Sequence, residues 1–146
     1  MFRKLLLFCF ALGYVFSLVS CKGEREPEKI ELRSDACHSC RMTIVDARFG
    51  GEVIRATGKV LKFDSIECLI RYLSQEKPEN ARIYLSDFET PGKFVEVEKS
   101  VIVSLKGESI GPMGSNLLAF RSEEQARAVL KNKEFAVQSF QDLQKK

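Results

Sequence analysis

The sequence predicts an α+β fold built from two small ββαβ-type units in tandem. Three observations carry this prediction: short β-branched runs bounded by turn residues, two amphipathic helical patterns, and a similarity between the two halves of the chain. The similarity consists of four matches 57 positions apart, which pair Phe63 with Phe120, Ser65 with Ser122, Glu67 with Glu124 and Leu73 with Leu130. Units of about 50 residues are marginal alone, so the two are expected to pack on one another.

Six segments are predicted to be strands because they are rich in β-branched and aromatic residues. In chain order they cover residues 52–57, 59–63, 81–86, 94–105, 116–120 and 135–140. Thr57-Gly58 separates the first two strands and is typical of a hairpin turn. The first unit is therefore expected over residues 36–90 and the second over residues 91–146.

Two amphipathic helices complete the units. Asp64 is the expected N-cap of the first helix, with Glu67 as its capping-box partner. Ser122 and Gln125 have the same relationship at the start of the second helix. The apolar faces are predicted to contain Ile66, Leu69, Ile70 and Leu73 in the first helix, and Ala126, Val129 and Leu130 in the second.

The first twenty residues are predicted to be a secretory signal peptide. Arg3 and Lys4 precede an uncharged apolar run over residues 5–19, which is shorter than the roughly 20 residues that a membrane-spanning helix needs. Leu18-Val19-Ser20-Cys21 resembles the lipobox of bacterial lipoproteins, which implies that Cys21 is lipidated and becomes the new N-terminus.

The residues after the lipobox predict how the protein is held. Residues 21–35 are polar and almost free of large apolar groups, so we expect a flexible tether between the membrane and a domain over residues 36–146. The residue after Cys21 is Lys22 and not aspartate, which by resemblance to the lipoprotein sorting rule favours the outer membrane over the inner. The expected location is the periplasm.

A short segment concentrates the residues that carry chemistry. It contains Cys37, Cys40 and Met42 together with His38, the single histidine of the chain. Thiolates and thioethers are soft donors that favour Cu(I), and imidazole suits several metals. If residues 41–45 are extended, Cys40 and Met42 leave the same face of a strand with Cα atoms roughly 6.5–7 Å apart. The spacing is consistent with one ion between their tips.

Three other interpretations use the same residues. Cys37 and Cys40 could form a disulfide, since the compartment beyond the membrane is oxidising. A thioredoxin-type redox pair needs a helix after the cysteines to lower a thiol pKa, whereas Thr43-Ile44-Val45 favours a strand. A structural zinc site needs four donors, which Cys37, His38, Cys40 and Cys68 would supply.

Two residues further along the chain are also candidates. Met113 lies in Ile110-Gly111-Pro112-Met113-Gly114-Ser115, a glycine-flanked turn that would display its side chain either for a metal or to cover the core. Cys68 falls on the flank of the first helix's apolar stripe. It is either a small core residue or a secondary metal or redox residue.

The composition and the single histidine exclude two classes. The chain has 23 basic and 20 acidic residues, and two of the basic ones belong to the leader, so the mature protein is nearly neutral. Nucleic-acid binding needs clustered positive charge and is not expected. No carboxylate is placed to orient His38 as a catalytic base, so the protein is not expected to be an enzyme.

The motifs together resemble the NosL family of copper-binding lipoproteins. The matching segments are Cys37-His38-Ser39-Cys40-Arg41-Met42, Asp46-Ala47-Arg48-Phe49-Gly50-Gly51-Glu52, Lys62-Phe63-Asp64-Ser65-Ile66-Glu67-Cys68-Leu69 and Gly111-Pro112-Met113-Gly114. The resemblance implies two ββαβ-type units related to the N-terminal part of organomercurial lyase. It also implies a Cu(I) chaperone, with nitrous oxide reductase, another copper-requiring enzyme or a copper transporter as its partner.

The family pattern maps onto particular residues. Its Cys-x-Met motif corresponds to Cys40 and Met42, and its Met-Gly loop to Met113. Cys37 belongs to an extension that only some members have. The usual glycine between the cysteine and the methionine is Arg41 here, at a position expected to be a solvent-facing part of a strand. The resulting hypothesis is a Cu(I) carrier that uses Cys37, Cys40, Met42 and Met113.

Overall fold

The computed structural model describes residues 25–145 and has the α+β fold that the sequence predicts. Its main elements are β1 (Gly51–Ile54), β2 (Val60–Phe63), α1 (Ile66–Glu76), β3 (Arg82–Ser86), β4 (Phe94–Glu96), β5 (Val101–Leu105), β6 (Leu117–Phe120), α2 (Glu123–Val129), β7 (Phe135–Gln138) and α3 (Phe140–Leu143). Short 3-10 turns cover Ala47–Phe49, Val97–Lys99 and Pro112–Gly114.

The tandem arrangement of the two units is confirmed. The first sheet has the strand order β2-β1-β3-β4 and the second has the order β6-β5-β7, with every neighbouring pair antiparallel. The opening strand of each unit is therefore central, between the second strand and the strand that follows the helix. Val53 in β1 pairs with Leu61 and Ile83, just as Val103 in β5 pairs with Leu118 and Val137.

The two main helices begin with equivalent serine caps. The Ser65 hydroxyl accepts a hydrogen bond from the Cys68 N–H at 3.1 Å, and the Ser122 hydroxyl accepts one from the Gln125 N–H at 3.2 Å. The predicted cap at Ser122 is confirmed. The prediction for Asp64 is wrong, because the helix begins one residue later and leaves the Asp64 carboxylate for another partner.

The second sheet lies between two apolar layers. One face packs against the first unit through Ile102, Leu117 and Ala119, and the other packs with α2 through Val103, Leu105, Leu118, Phe120, Ala126 and Leu130. Buried Asp87 joins the units, because it bridges to Ala119 and its carboxylate accepts from the Arg121 guanidinium at 3.0 Å.

Three predicted strands are divided or shorter than expected, and the first of them, over residues 52–57, ends at Ile54. The segment 94–105 is divided by the 3-10 turn Val97–Lys99, because β4 pairs with β3 in the first sheet whereas β5 opens the second. The chain must break its ladder to change sheets, so the first sheet extends to residue 96, beyond the predicted unit boundary. In the segment 135–140, β7 ends at Gln138 and α3 begins at Phe140.

The tether prediction does not hold for residues 25–35. Ile30 is buried in the core, the Glu28 N–H donates to the buried Glu52 carboxylate at 2.8 Å, and the Arg33 N–H donates to the Ile44 carbonyl at 2.8 Å. One apolar side chain and several backbone hydrogen bonds are enough to dock this polar segment. The signal peptide and Cys21 lie outside the described residues. Within residues 25–145, every helix is too short or too polar to cross a membrane.

Candidate metal centre

A tight turn, and not a strand, presents the first cysteines. Ala36 bridges to Thr43, the Cys37 N–H donates to the Met42 carbonyl at 2.8 Å, and the Arg41 N–H donates to the Cys37 carbonyl at 3.0 Å. Arg41 has a φ of +67°, in the left-handed region that favours glycine. The expectation of an extended Arg41 is therefore wrong. The left-handed conformation explains why the family pattern that the sequence resembles usually has glycine at this position.

The turn divides its sulfur residues between the interior and the surface. Cys37 is 0% exposed and Cys40 is half-buried, whereas Met42 is 53% exposed. The Cys40 thiol donates a hydrogen bond to Asp64 Oδ2 at 3.3 Å. Asp64 follows β2 directly and precedes the cap of α1, so two elements fix its position beside the thiol.

Four donors from three segments meet at this point. One ligand atom from each of Cys37, Cys40, Asp64 and Cys68 lies within 4.8 Å of all the others, and we call this group the Cys3Asp cluster. Cys68 belongs to the first turn of α1 and is 1% exposed. All three cysteines of the cluster are free thiols in this structure. The sequence predicts Asp64 only as a helix cap, and its short separation from the cysteines arises from the fold.

The electrostatics of the cluster favour neutral thiols in the absence of metal. Burial raises the pKa of the Cys37 thiol and the pKa of the Cys68 thiol, so both hold their protons at neutral pH. A metal ion must displace those protons to bind. Asp64 Oδ1 is buried and accepts no hydrogen bond from the described residues, so an acceptor remains open at the cluster. This donor set suits a soft cation.

His38 has a packing role beside the cluster. Its ring lies edge-on to Phe63 and Tyr72, with centroids 6.0 Å and 5.3 Å away. Burial lowers the pKa of His38, and the positive charges of Arg41 and Lys59 lower it further, so the imidazole is neutral at pH 7. The four-donor group among the described residues contains Asp64 where the zinc interpretation expected His38.

The loop over residues 111–115, here called the Met113 loop, is attached to helix α1. The Ser115 hydroxyl donates to the Glu67 carboxylate at 2.6 Å, and the Asn116 N–H donates to it at 3.3 Å. Met113 has a φ of +54° and is 62% exposed. A Cβ on Gly111 would lie 2.8 Å from the Phe49 ring, so glycine permits the loop to approach the first unit.

Two adjoining clefts connect both methionines with the cluster. The first has a volume of about 210 Å³ and is lined by Cys68, Arg71 and Met113 among others. The second, of about 290 Å³, is lined by Met42, Asp64 and Ile110. Pro112 lines both. Each methionine thus shares a cleft with one member of the Cys3Asp cluster, and the ligand roles of Met42 and Met113 stay predictions.

These features define a small α+β domain with a sulfur-rich candidate metal centre. The family model named NosL matches residues 29–146, and the chain therefore belongs to the NosL family. The solved structure titled "Crystal structure of the copper chaperone NosL from Shewanella denitrificans" is similar, with a TM-score of 0.65 and 20% identity over 81% of this chain and 95% of that one. No curated protein matches the sequence.

The family assignment decides two expectations from the sequence. The NosL resemblance and the α+β fold are confirmed. The expectation that the protein is not an enzyme stays a prediction. Sequence reasoning missed the place of Asp64 in the cluster and the attachment of the Met113 loop to Glu67. Both residues belong to the segment 62–69 that carries the family resemblance, which was the available signal.

Proposed function

We propose that this protein is a lipid-anchored periplasmic carrier of Cu(I), which it delivers to a copper-requiring client such as nitrous oxide reductase. Membership of the NosL family and the donor chemistry of the centre support the copper part of the proposal. The similar solved structure is titled a copper chaperone. The lipobox at Cys21 and the signal peptide before it support the anchored, periplasmic part, and Lys22 favours the outer membrane.

The position of Cys40 carries the proposal. This half-buried thiol is grouped with two fully buried thiols and is hydrogen-bonded to Asp64. Asp64 lines the cleft of Met42, and Cys68 lines the cleft of Met113. A thiolate anchors the ion with a charge, whereas the thioethers of Met42 and Met113 are neutral donors that an incoming ligand replaces readily. Such a site binds copper firmly and still releases it to a partner.

Delivery is a ligand exchange and not a catalysed reaction. A donor of the client approaches from the exposed side, where Met42 and Met113 lie, and forms a bond to Cu(I) as a thioether leaves. Cys40 releases the ion last and recovers a proton. The copper stays in the same oxidation state throughout.

Competition titration under anaerobic conditions tests the proposal. We expect the protein to bind Cu(I) tightly against a chromophoric Cu(I) chelator. In a background with Cys37→Ala and Cys68→Ala, which leaves Cys40 and the exposed methionines as donors, Met113→Leu should weaken that binding by roughly tenfold, an affinity change of about 1.4 kcal/mol. Zn(II) affinity, measured in parallel, is expected to be unchanged by Met113→Leu, because thioethers contribute little to zinc sites. Leucine is the matched replacement because it keeps the volume and removes the sulfur.

Two results would replace the proposal with another function. Zn(II) bound more tightly than Cu(I), with no effect of Met113→Leu, would indicate a structural zinc module. Reduction of insulin disulfides by catalytic amounts of the protein would indicate a thiol redox protein using Cys37 and Cys40. The structure disfavours the second result, because Cys37 is inaccessible and a turn follows Cys40 in place of a helix.

A further inference from the structure

We propose that Cu(I) occupies an inner position among the sulfur atoms of Cys37, Cys40 and Cys68, in addition to an outer position with Met42 and Met113. Cys40 belongs to both positions and passes the ion between them. The inference rests on the proposed function, which it deepens by naming where the carrier keeps its copper while no client is bound.

The geometry of the Cys3Asp cluster supports an inner position. Its ligand atoms lie within 4.8 Å of one another. An ion bonded to two sulfurs on opposite sides, at about 2.3 Å each, separates them by about 4.6 Å. The three sulfurs therefore lie close enough together to contact one ion.

Exposure divides the five sulfur residues within the described range 25–145 into two groups. Cys37 and Cys68 are 0% and 1% exposed, whereas Met42 and Met113 are 53% and 62% exposed. Cys40 is intermediate, as a shared ligand must be. An ion held only by the outer group would be open to solvent and oxidants, whereas an ion among the thiols would be covered by the core.

The start of α1 helps to accommodate the charge of an inner complex. Cu(I) bound by two thiolates carries one net negative charge, which is costly to bury. Cys68 belongs to the first turn of this 11-residue helix, where the helix dipole is positive and stabilises an anionic group. In the metal-free protein, the Cys40 thiol donates its proton to Asp64, which borders the first turn of this helix.

Movement between the positions conserves electrons and atoms. Bonds from Cu(I) to the thioethers break, bonds to the sulfurs of Cys37 and Cys68 form, and each thiol that binds releases its proton to water. Delivery reverses these steps as the client supplies its own donor. Copper remains Cu(I) and no oxidant or reductant is needed.

Selenium labelling distinguishes the two positions. The protein is prepared with selenomethionine and loaded with slightly less than one equivalent of Cu(I), and X-ray absorption is recorded at the copper edge. We expect copper with sulfur neighbours only and no Cu–Se contact in the unaltered protein. In the variant with Cys37→Ala and Cys68→Ala together, a Cu–Se contact should appear as the ion shifts to the methionines.

Controls separate a change of site from a change of fold. Ile66→Val removes one methylene from the same buried region of α1 without touching a sulfur, and it should leave the spectrum unaltered. The Ser65 cap uses the Cys68 backbone and survives the cysteine change. Circular dichroism checks the fold of each variant, and the single variants Cys37→Ala and Cys68→Ala serve if the double variant does not fold.

Each outcome has a definite meaning. A Cu–Se contact already present in the unaltered protein, and unchanged in the variants, overturns the inner position while the carrier function stands. Failure of the unaltered protein to bind Cu(I) against the chelator overturns the carrier function itself. Sulfur-only copper that gains selenium when the buried thiols are removed supports both.

Discussion

Replacement of Glu67 tests whether the Met113 loop is held in place for copper binding. Glu67→Ala removes the acceptor of the Ser115 hydroxyl and of the Asn116 N–H. Hydrogen bonds to a charged group contribute about 1.5–3 kcal/mol, and the half-buried position and the long Asn116 contact place the expected loss near the low end, at about 1–2 kcal/mol. A loop freed in this way must be ordered again when Met113 binds the ion.

The expected effect on copper follows from that ordering cost. In protein with Cys37→Ala and Cys68→Ala, where copper is confined to the outer position, a loss of about 1–2 kcal/mol corresponds to Cu(I) affinity weaker by roughly 5–30-fold. The measurement is anaerobic competition titration, with urea unfolding of the same samples to record stability. The effect of Glu67→Ala should disappear in a Met113→Leu background, because the loop then has no sulfur to position.

The internal repeat supplies a matched control. Glu124 occupies the same place in α2 that Glu67 occupies in α1, two residues after the serine cap, but it is exposed and interacts with Ser122 and Arg127 near its own helix. Glu124→Ala removes an equivalent charge near a helix N-terminus and should leave Cu(I) affinity unchanged. Equal weakening by Glu67→Ala with and without Met113 would refute the reasoning, since the effect would then not pass through the methionine.

Two other predictions concern the backbone and the pH. Because Arg41 has a left-handed φ, Arg41→Gly should keep the free energy of unfolding or raise it by up to about 1 kcal/mol. The β-branched Arg41→Val should lower the free energy of unfolding by roughly 1–3 kcal/mol. Urea unfolding measures both variants, and equal free energies would contradict backbone strain at Arg41. Burial raises the pKa of Glu52 to about 7, so the folded state binds a proton more tightly than the unfolded state and the stability from this group is lost as pH rises from about 4.5 to 7. Thermal unfolding across that range should show a decline for the unaltered protein of roughly 1–3 kcal/mol relative to Glu52→Gln, and parallel profiles would reject the buried carboxyl as its cause.

Local patterns predicted most of the fold because the two units have the same order of strands and helix and the same type of helix cap. Ser122 and Gln125 start the second helix as predicted, and the four matches at 57 positions correspond to equivalent elements. The same repeat favoured Ser65 over Asp64 as the first cap, since Ser65 aligns with Ser122. The error at residues 94–105 arose because alternation describes a strand and carries no record of which sheet it joins.

The candidate site was less predictable because its geometry is not local. Cys37 and Cys40 were visible as a motif, but the turn that separates Cys40 from Met42 depends on a left-handed Arg41, which residue type alone does not indicate. The approach of Asp64 and Cys68 to these thiols requires the hairpin over residues 36–43 to dock against the start of α1. Long-range packing of this kind leaves no periodic signal in the sequence.

The docking of residues 25–30 on the domain shortens the tether that is proposed to follow Cys21. Arg25 donates to the Gly58 carbonyl at 3.0 Å, and Ile30 is buried a few residues later. If Cys21 carries the lipid, four peptide steps separate it from Arg25, which at about 3.6 Å each reach no more than about 14 Å. The distance between the domain and the lipid headgroups would then be small. Any donor or recipient of copper would have to approach the membrane surface to contact the carrier.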